Sequence, residues 1–197
     1  MSGNTKDVTV SPSKAPKTFS VARGAGQPDP GPADHALDAF SLEFDYLCRT
    51  LRRLGSRQTD VEDLAHEVFL VLSRKWQDYD PSRPLRPYLF GIAFRVVSSH
   101  KRRHWREVTG VESDIADPAA LPDQALAAAE ARALVLSALE RLVLPRRAVL
   151  VMHDLDETPM RVVAEALQIP LFTAYSRLRK ARKEFERAVK AVQGGAR

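Results

Sequence analysis

Between His35 and Leu54 the apolar residues Leu37, Phe40, Phe44, Leu47, Leu51 and Leu54 recur at alternating steps of three and four, which draws one stripe along a helix. The Gly55-Ser56 pair ends it. A second helical pattern runs from Thr59 or Asp60 to Trp76, with Val61, Leu64, Ala65, Val68, Leu72 and Trp76 facing inward. Thr59 is placed to cap its free amides, while Asp60, Glu62 and Asp63 complement the positive end of the helix dipole. The loop QDYDPSRPLRP follows, and Pro87 suits the first turn of a third helix whose buried stripe is Tyr88, Leu89, Ile92, Ala93, Val96 and Val97. Further on, helices are predicted at about 124–143, at about 145–154 opened by Pro145, near 159–167 and near 171–192. In the last of these, Ala174, Leu178, Ala181, Phe185 and Val189 keep helical spacing. No segment alternates as a strand does, so the expected fold is all-α.

These patterns divide the chain. Residues 1–35 are rich in Pro, Gly, Ser and Ala, with too few large apolar side chains to offset ordering entropy, and are expected to form a disordered tail. Two small helical domains, 36–106 and 124–192, are expected to be joined by a flexible linker, the acidic and proline-containing stretch 107–123. Residues 193–197 make a short tail.

Lys and Arg outnumber Asp and Glu by 30 to 25 in 197 residues, a modest excess. Its placement is more telling. The second helix begins acidic, whereas the outer face of the third carries Arg95, Ser98, Ser99, Lys101, Arg102, Arg103 and Arg106, with no acidic residue between Asp80 and Glu107. A concentrated positive face of that kind suits a polyanion. Cys48 is the only cysteine, so no internal disulfide forms, and its neighbours Phe44, Leu47 and Leu51 suggest ordinary helix packing. The N-terminus lacks the apolar core of a signal peptide, and no apolar run approaches the roughly 20 residues that span a bilayer. No membrane insertion and a cytoplasmic location are expected.

Enzyme signatures are missing: there is no glycine-rich phosphate loop, metal-type cysteine pair or activated-serine motif. His66-Glu67 begins like a metalloprotease helix, but Leu70 stands where the second histidine belongs. His100 and His104 are four apart, yet Lys101, Arg102 and Arg103 would repel a shared cation. Neither metal nor cofactor is expected, and no catalytic residue is identified. The segment MRVVAEALQIPLFTAYSRLRKARKEF has the proportions of a helix-turn-helix, in which a second helix bearing basic side chains enters the major groove.

Taken together, DVEDLAHEVFLVLSRKW, DYDPSRPLRPYLFGIAFRVVSSHKRR and LPRRAVLVMHDLDETPMRVVAEALQIPLFTAYSRLRKAR resemble, in order and separation, the extracytoplasmic-function (ECF) sigma factors of the sigma-70 family. The resemblance covers roughly residues 37–190. It implies core RNA polymerase and promoter DNA as partners, with an anti-sigma factor as a further one. By the same resemblance, Asp60, Asp63, Glu67 and Arg74 belong to a polymerase-docking helix. Tyr79, Asp80 and Ser82 would hold an unstacked base of the nontemplate strand, and Arg95, Ser98, Ser99, Lys101, Arg102, Arg103 and Arg106 would lie along minus-ten DNA. Thr173, Ser176, Arg177, Lys180 and Lys183 would face the minus-thirty-five element, with Arg179 and Arg182 supporting its backbone.

The chain departs from the family pattern in places. Phe94-Arg95 replaces the usual Arg-Asn pair, and Gln168 stands where the helix-turn-helix commonly has glycine. Phe172, Ala174 and Tyr175 replace a Gly, a Val and a polar residue, and Phe172 is expected to compensate by packing on the first helix of the pair. Two other readings stay open on sequence alone: a helix-turn-helix regulator that acts without polymerase, and a nucleic-acid-processing enzyme.

Overall fold

Every stretch with a three-and-four apolar period is helical in the computed structural model, which describes the backbone of residues 32–107 and 123–195 and the side chains of 35–103 and 128–194. Helices α1 (Pro32–Arg53), α2 (Val61–Arg74) and α3 (Leu85–Glu107) form a first group. The second comprises α4 (Asp123–Glu140), α5 (Leu144–Leu150) continued by a π-helical turn (Val151–Leu155), α6 (Met160–Ala166) and α7 (Leu171–Gly195). There is no strand among the described residues. Of the expected tail 1–35, residues 1–31 lie outside them, whereas 32–35 are helical and open α1; the interior of the expected linker, 108–122, also lies outside them.

The first group closes over Leu47, Leu51, Leu64, Val68, Leu72, Leu89, Phe90, Ile92 and Val97, all at most 2% exposed. The second closes over Leu139, Val149, Met152, Val163, Ala174 and Ala181, equally buried. Each large side chain so placed contributes about 1.5–3 kcal/mol of hydrophobic stabilisation. Together they form one continuous apolar cluster spanning both groups.

Three local expectations are corrected. The α1 stripe is not buried along its whole length: Leu37 is 49% and Phe44 39% exposed, because the first turns of α1 are only partly covered. Phe40 instead packs on Phe69 of α2 at 4.9 Å between ring centres, and Phe44 meets Phe40 edge-on at 5.7 Å. Thr59 does not cap α2. Its hydroxyl donates to Asp60 Oδ1 at 3.0 Å, and the chain enters α2 through a 3-10 turn, Gln58–Asp60. At its far end α2 stops at Arg74, and Trp76 belongs to a second 3-10 turn, Trp76–Asp78.

Two polar joints and one close backbone approach help to pack the two helix groups on one another. At the first joint, Asp156 accepts from Tyr46 Oη (3.0 Å) and Arg53 Nη1 (2.8 Å), both on α1. The Arg86 guanidinium lies 5.1 Å from the centre of the Tyr46 ring and reaches Glu43 at 2.8 Å. Burial holds the Asp156 carboxyl above its usual range despite Arg53, so desolvation outweighs the ion pair. At the second joint, buried Arg147 donates to three carbonyls, those of Leu54 (2.8 Å), Glu140 (2.7 Å) and Leu142 (3.0 Å). Gly55, with φ +84°, turns the chain out of α1 here, and a side chain on it would collide with Arg147. The close approach is at Gly91 of α3: a Cβ there would sit 2.5 Å from the Ala166 carbonyl oxygen at the end of α6.

Candidate nucleic-acid interface

The loop between α2 and α3 is built around stacked rings. Tyr79 touches Trp76 at 5.2 Å and Tyr88 at 5.1 Å between centroids, both tilted. Its hydroxyl donates to the Arg83 carbonyl at 2.6 Å, which closes the loop on itself. Asp80 accepts the Ser82 amide at 2.9 Å, and the Ser82 hydroxyl and amide hold its carboxyl below the usual range. Desolvation by burial raises the Tyr79 and Tyr88 hydroxyls above the ordinary phenol value, so both stay neutral donors at pH 7. Beside this loop opens a cleft of about 500 Å³, lined by Tyr79, Asp80, Arg83, Tyr88 and Arg95 on one side and by Val162, Glu165 and Ala166 of α6 on the other. An ion pair from Arg83 to Glu165 spans it.

The cationic face of α3 divides in three. Arg102 and Arg103 are exposed, and Ser98 and Ser99 are half-buried, the Ser98 hydroxyl donating to the Phe94 carbonyl at 2.6 Å. Arg95 points toward α6, its guanidinium 3.5 Å from the Ala166 carbonyl, and desolvation lowers its pKa. Lys101 turns inward toward the Leu54 carbonyl at 3.3 Å, where burial and the nearby Arg147 press its pKa down to about 8. The side chain of Arg106 lies outside the described residues.

On α2, Asp63 and Arg74 are exposed and Glu67 is half-buried, as is Asp60 at the end of the 3-10 turn before it. The acidic edge is not opposite the basic ridge but adjoins it, since Arg103 Nη2 reaches both Glu67 oxygens at 3.2 and 3.3 Å. In α7, Thr173, Ser176, Arg177 and Lys180 line one cleft of about 410 Å³ with Arg146 and Phe172, and Lys183 is exposed one turn beyond Lys180. Among the described residues no cluster of three or more metal-ligating side chains occurs, and no helix is long and apolar enough to cross a membrane.

Comparison with known proteins places both helix groups. The sigma-70 region 2 family model matches residues 43–107, and the sigma-70 region 4 model matches 132–185, which together make more than half of the chain. The chain belongs to the ECF group of the sigma-70 family. It is 23% identical to the ECF RNA polymerase sigma factor SigW of Bacillus subtilis over 81% of this chain and 91% of that protein. It is 27% identical to the RNA polymerase sigma factor CnrH of Cupriavidus metallidurans over 69% and 76%. Among solved structures, the sigma factor RpoE in complex with the anti-sigma factor NepR from Bartonella quintana shares the fold, with a TM-score of 0.65 at 20% identity over 80% of this chain and 98% of that one. CnrH in complex with the cytosolic domain of CnrY gives 0.56 at 23% identity, over 81% and 96%.

Within this sigma factor, α1–α3 correspond to region 2, and α5–α7 with the end of α4 to region 4. Three further expectations about region 4 can be set against its geometry. Gln168 takes up φ +54°, the left-handed conformation that glycine adopts without strain, so the turn keeps its shape at a local cost. Phe172 does not pack on α6: it is 75% exposed, because its position on α7 lies on the side away from buried Ala174 and Ala181. Arg182 pairs with Asp154 through two bonds, 2.9 Å and 2.7 Å, and so ties α7 to the π-helical turn.

Several residues of consequence carried no sequence signal of their role. Tyr88 has the spacing of a buried-stripe residue, yet it extends the ring stack under Tyr79. Arg147, Asp156 and Arg83 each also engage a partner some eighty to a hundred residues away, which no local pattern reveals. Lys101 could have been found, since it lies four residues after buried Val97 and therefore on the inward stripe.

Proposed function

We propose that this sigma factor binds core RNA polymerase through the α2 edge formed by Asp60, Asp63, Glu67 and Arg74, and carries it to a two-element promoter. On this reading residues 36–106 form the docking and minus-ten domain, 107–123 the linker and 124–192 the minus-thirty-five domain. Tyr79, Asp80 and Ser82 receive an unstacked base, which the ring stack beside them favours because stacking must replace what the duplex loses. Arg95, Ser98, Ser99, Arg102, Arg103 and Arg106 track the minus-ten strand, whereas Lys101, turned inward to the Leu54 carbonyl, does not reach it; Thr173, Ser176, Arg177, Lys180 and Lys183 face the minus-thirty-five groove. The protein performs no covalent chemistry itself and acts in the cytoplasm, where an anti-sigma factor is a further partner.

The observation that carries this reading is the adjacency of the acidic α2 edge, the ring-lined loop and the exposed Arg102–Arg103 ridge on one three-helix unit. A helix-turn-helix regulator acting alone requires neither of the first two. In the packed arrangement, α6 walls the base-binding cleft and Glu165 occupies Arg83, so promoter engagement requires region 4 to move away from region 2. The test is transcription in vitro: purified chain plus core polymerase should yield discrete transcripts from genomic DNA fragments. No binding to core would sink the reading.

A further inference from the structure

We propose that Phe172, with Tyr175 beside it, reads thymine in the minus-thirty-five element through the C5 methyl group that thymine alone presents in the major groove. This rests on the promoter reading above and names a specificity determinant that the family pattern does not supply.

Phe172 is 75% and Tyr175 55% exposed, three residues apart on the first turns of α7. Leu171, 38% exposed, precedes them, and Val143, 55% exposed, lines the adjoining cleft. Single exposed apolar side chains need no explanation, but four in one place make a patch. This patch lies at the start of the recognition helix, where helix-turn-helix side chains meet base edges. Its rim decides between occupants. Arg177 and Lys180 stand on the same helix within one or two turns of Phe172, and Arg177, Lys180 and Phe172 line one cleft. A cationic rim around an apolar centre fits a polyanion that carries apolar groups, which describes a thymine-bearing major groove. A protein partner would gain the apolar contact but leave those cations without phosphates. Phe172 also has no structural task that accounts for it, since it is 75% exposed on the side of α7 away from buried Ala174 and Ala181.

The experiment uses the full chain assembled with core RNA polymerase and a duplex library randomised across the minus-thirty-five segment. The wild-type protein should enrich thymine at one or two adjacent positions. Phe172→Ala should lose that preference while keeping the others, and Phe172→Leu, which retains an apolar side chain, should restore part of it. Uracil in place of the selected thymine removes only the methyl group, and should weaken wild-type binding by about fourfold, the factor that burial of one such group corresponds to. The same change should leave Phe172→Ala unaffected. Both variants alter an exposed side chain, so their melting temperatures should match wild type. Identical enriched sequences for wild type and Phe172→Ala, or an equal uracil effect on both, would overturn the proposal and leave the promoter reading standing. Enrichment of no sequence at all by wild type would overturn both, and is recognisable as such.

Discussion

Replacing Lys101 by methionine should stabilise this protein at neutral pH, although it removes a hydrogen bond. The Lys101 ammonium is held among the Leu54 carbonyl at the end of α1, Arg147 of α5 and Glu140 of α4, and its pKa falls to about 8 from the ordinary 10.5. Burial is the larger cause and repulsion from Arg147 the second; Glu140 opposes both. A base whose folded pKa is depressed costs stability wherever the unfolded chain would hold its proton. The penalty is therefore complete below about pH 8 and fades as pH rises toward 10.5. At about 1.4 kcal/mol per pH unit the full penalty is on the order of 3 kcal/mol. Against this, the 3.3 Å bond to Leu54 is long and contributes about 1 kcal/mol at most. Lys101→Met fills similar volume without charge, so the expected gain at pH 7 is about 2 kcal/mol, or roughly 4–8 °C in Tm for a chain of this size. Thermal unfolding followed by circular dichroism from pH 7 to 9.5 measures it. The wild-type curve should converge on the variant's as pH rises. A variant no more stable than wild type at pH 7, or one with an unchanged gap at pH 9.5, would refute the argument.

Three other outcomes follow from the geometry. Gly91→Ala gains helix propensity in α3 but places a methyl group against the Ala166 carbonyl, so region 4 should part from region 2; the radius of gyration from small-angle scattering should rise, and an unchanged radius would count against the close approach. Asp63→Ala and Glu67→Ala should each weaken core-polymerase binding severalfold in a pull-down titration while changing stability by less than about 1 kcal/mol, because both side chains of the Glu67–Arg103 pair keep about half their surface in solvent. Gln168→Gly relieves a left-handed backbone costing about 1–2 kcal/mol and loses about 0.5–1 kcal/mol to chain entropy, so urea unfolding should show a small net stabilisation.

Helix existence was legible in the sequence because apolar period is a local property: Leu64, Val68 and Leu72 mark the inner face of α2 wherever it packs. Helix beginnings were less so. Thr59 has the right side chain for a cap, but whether it caps depends on backbone angles that the preceding 3-10 turn sets. The exposed Arg102 and Arg103 could be foreseen from charge alone. The diversion of Arg95 toward Ala166 could not, because it is decided by Gly91, whose missing side chain lets a helix some seventy residues away come close. Phe172 is the opposite case: an aromatic residue is usually buried, but position 172 falls on the side of α7 away from buried Ala174 and Ala181.

The position of Arg147 has a thermodynamic consequence. One guanidinium serves a carbonyl that ends the first helix of region 2 and two that end the first helix of region 4. Fraying of either half would strand a buried charge in the other, at a cost larger than most single contacts return. The packed chain should therefore melt as a single cooperative event, with calorimetric and van't Hoff enthalpies in agreement, even though two separate families of helices compose it.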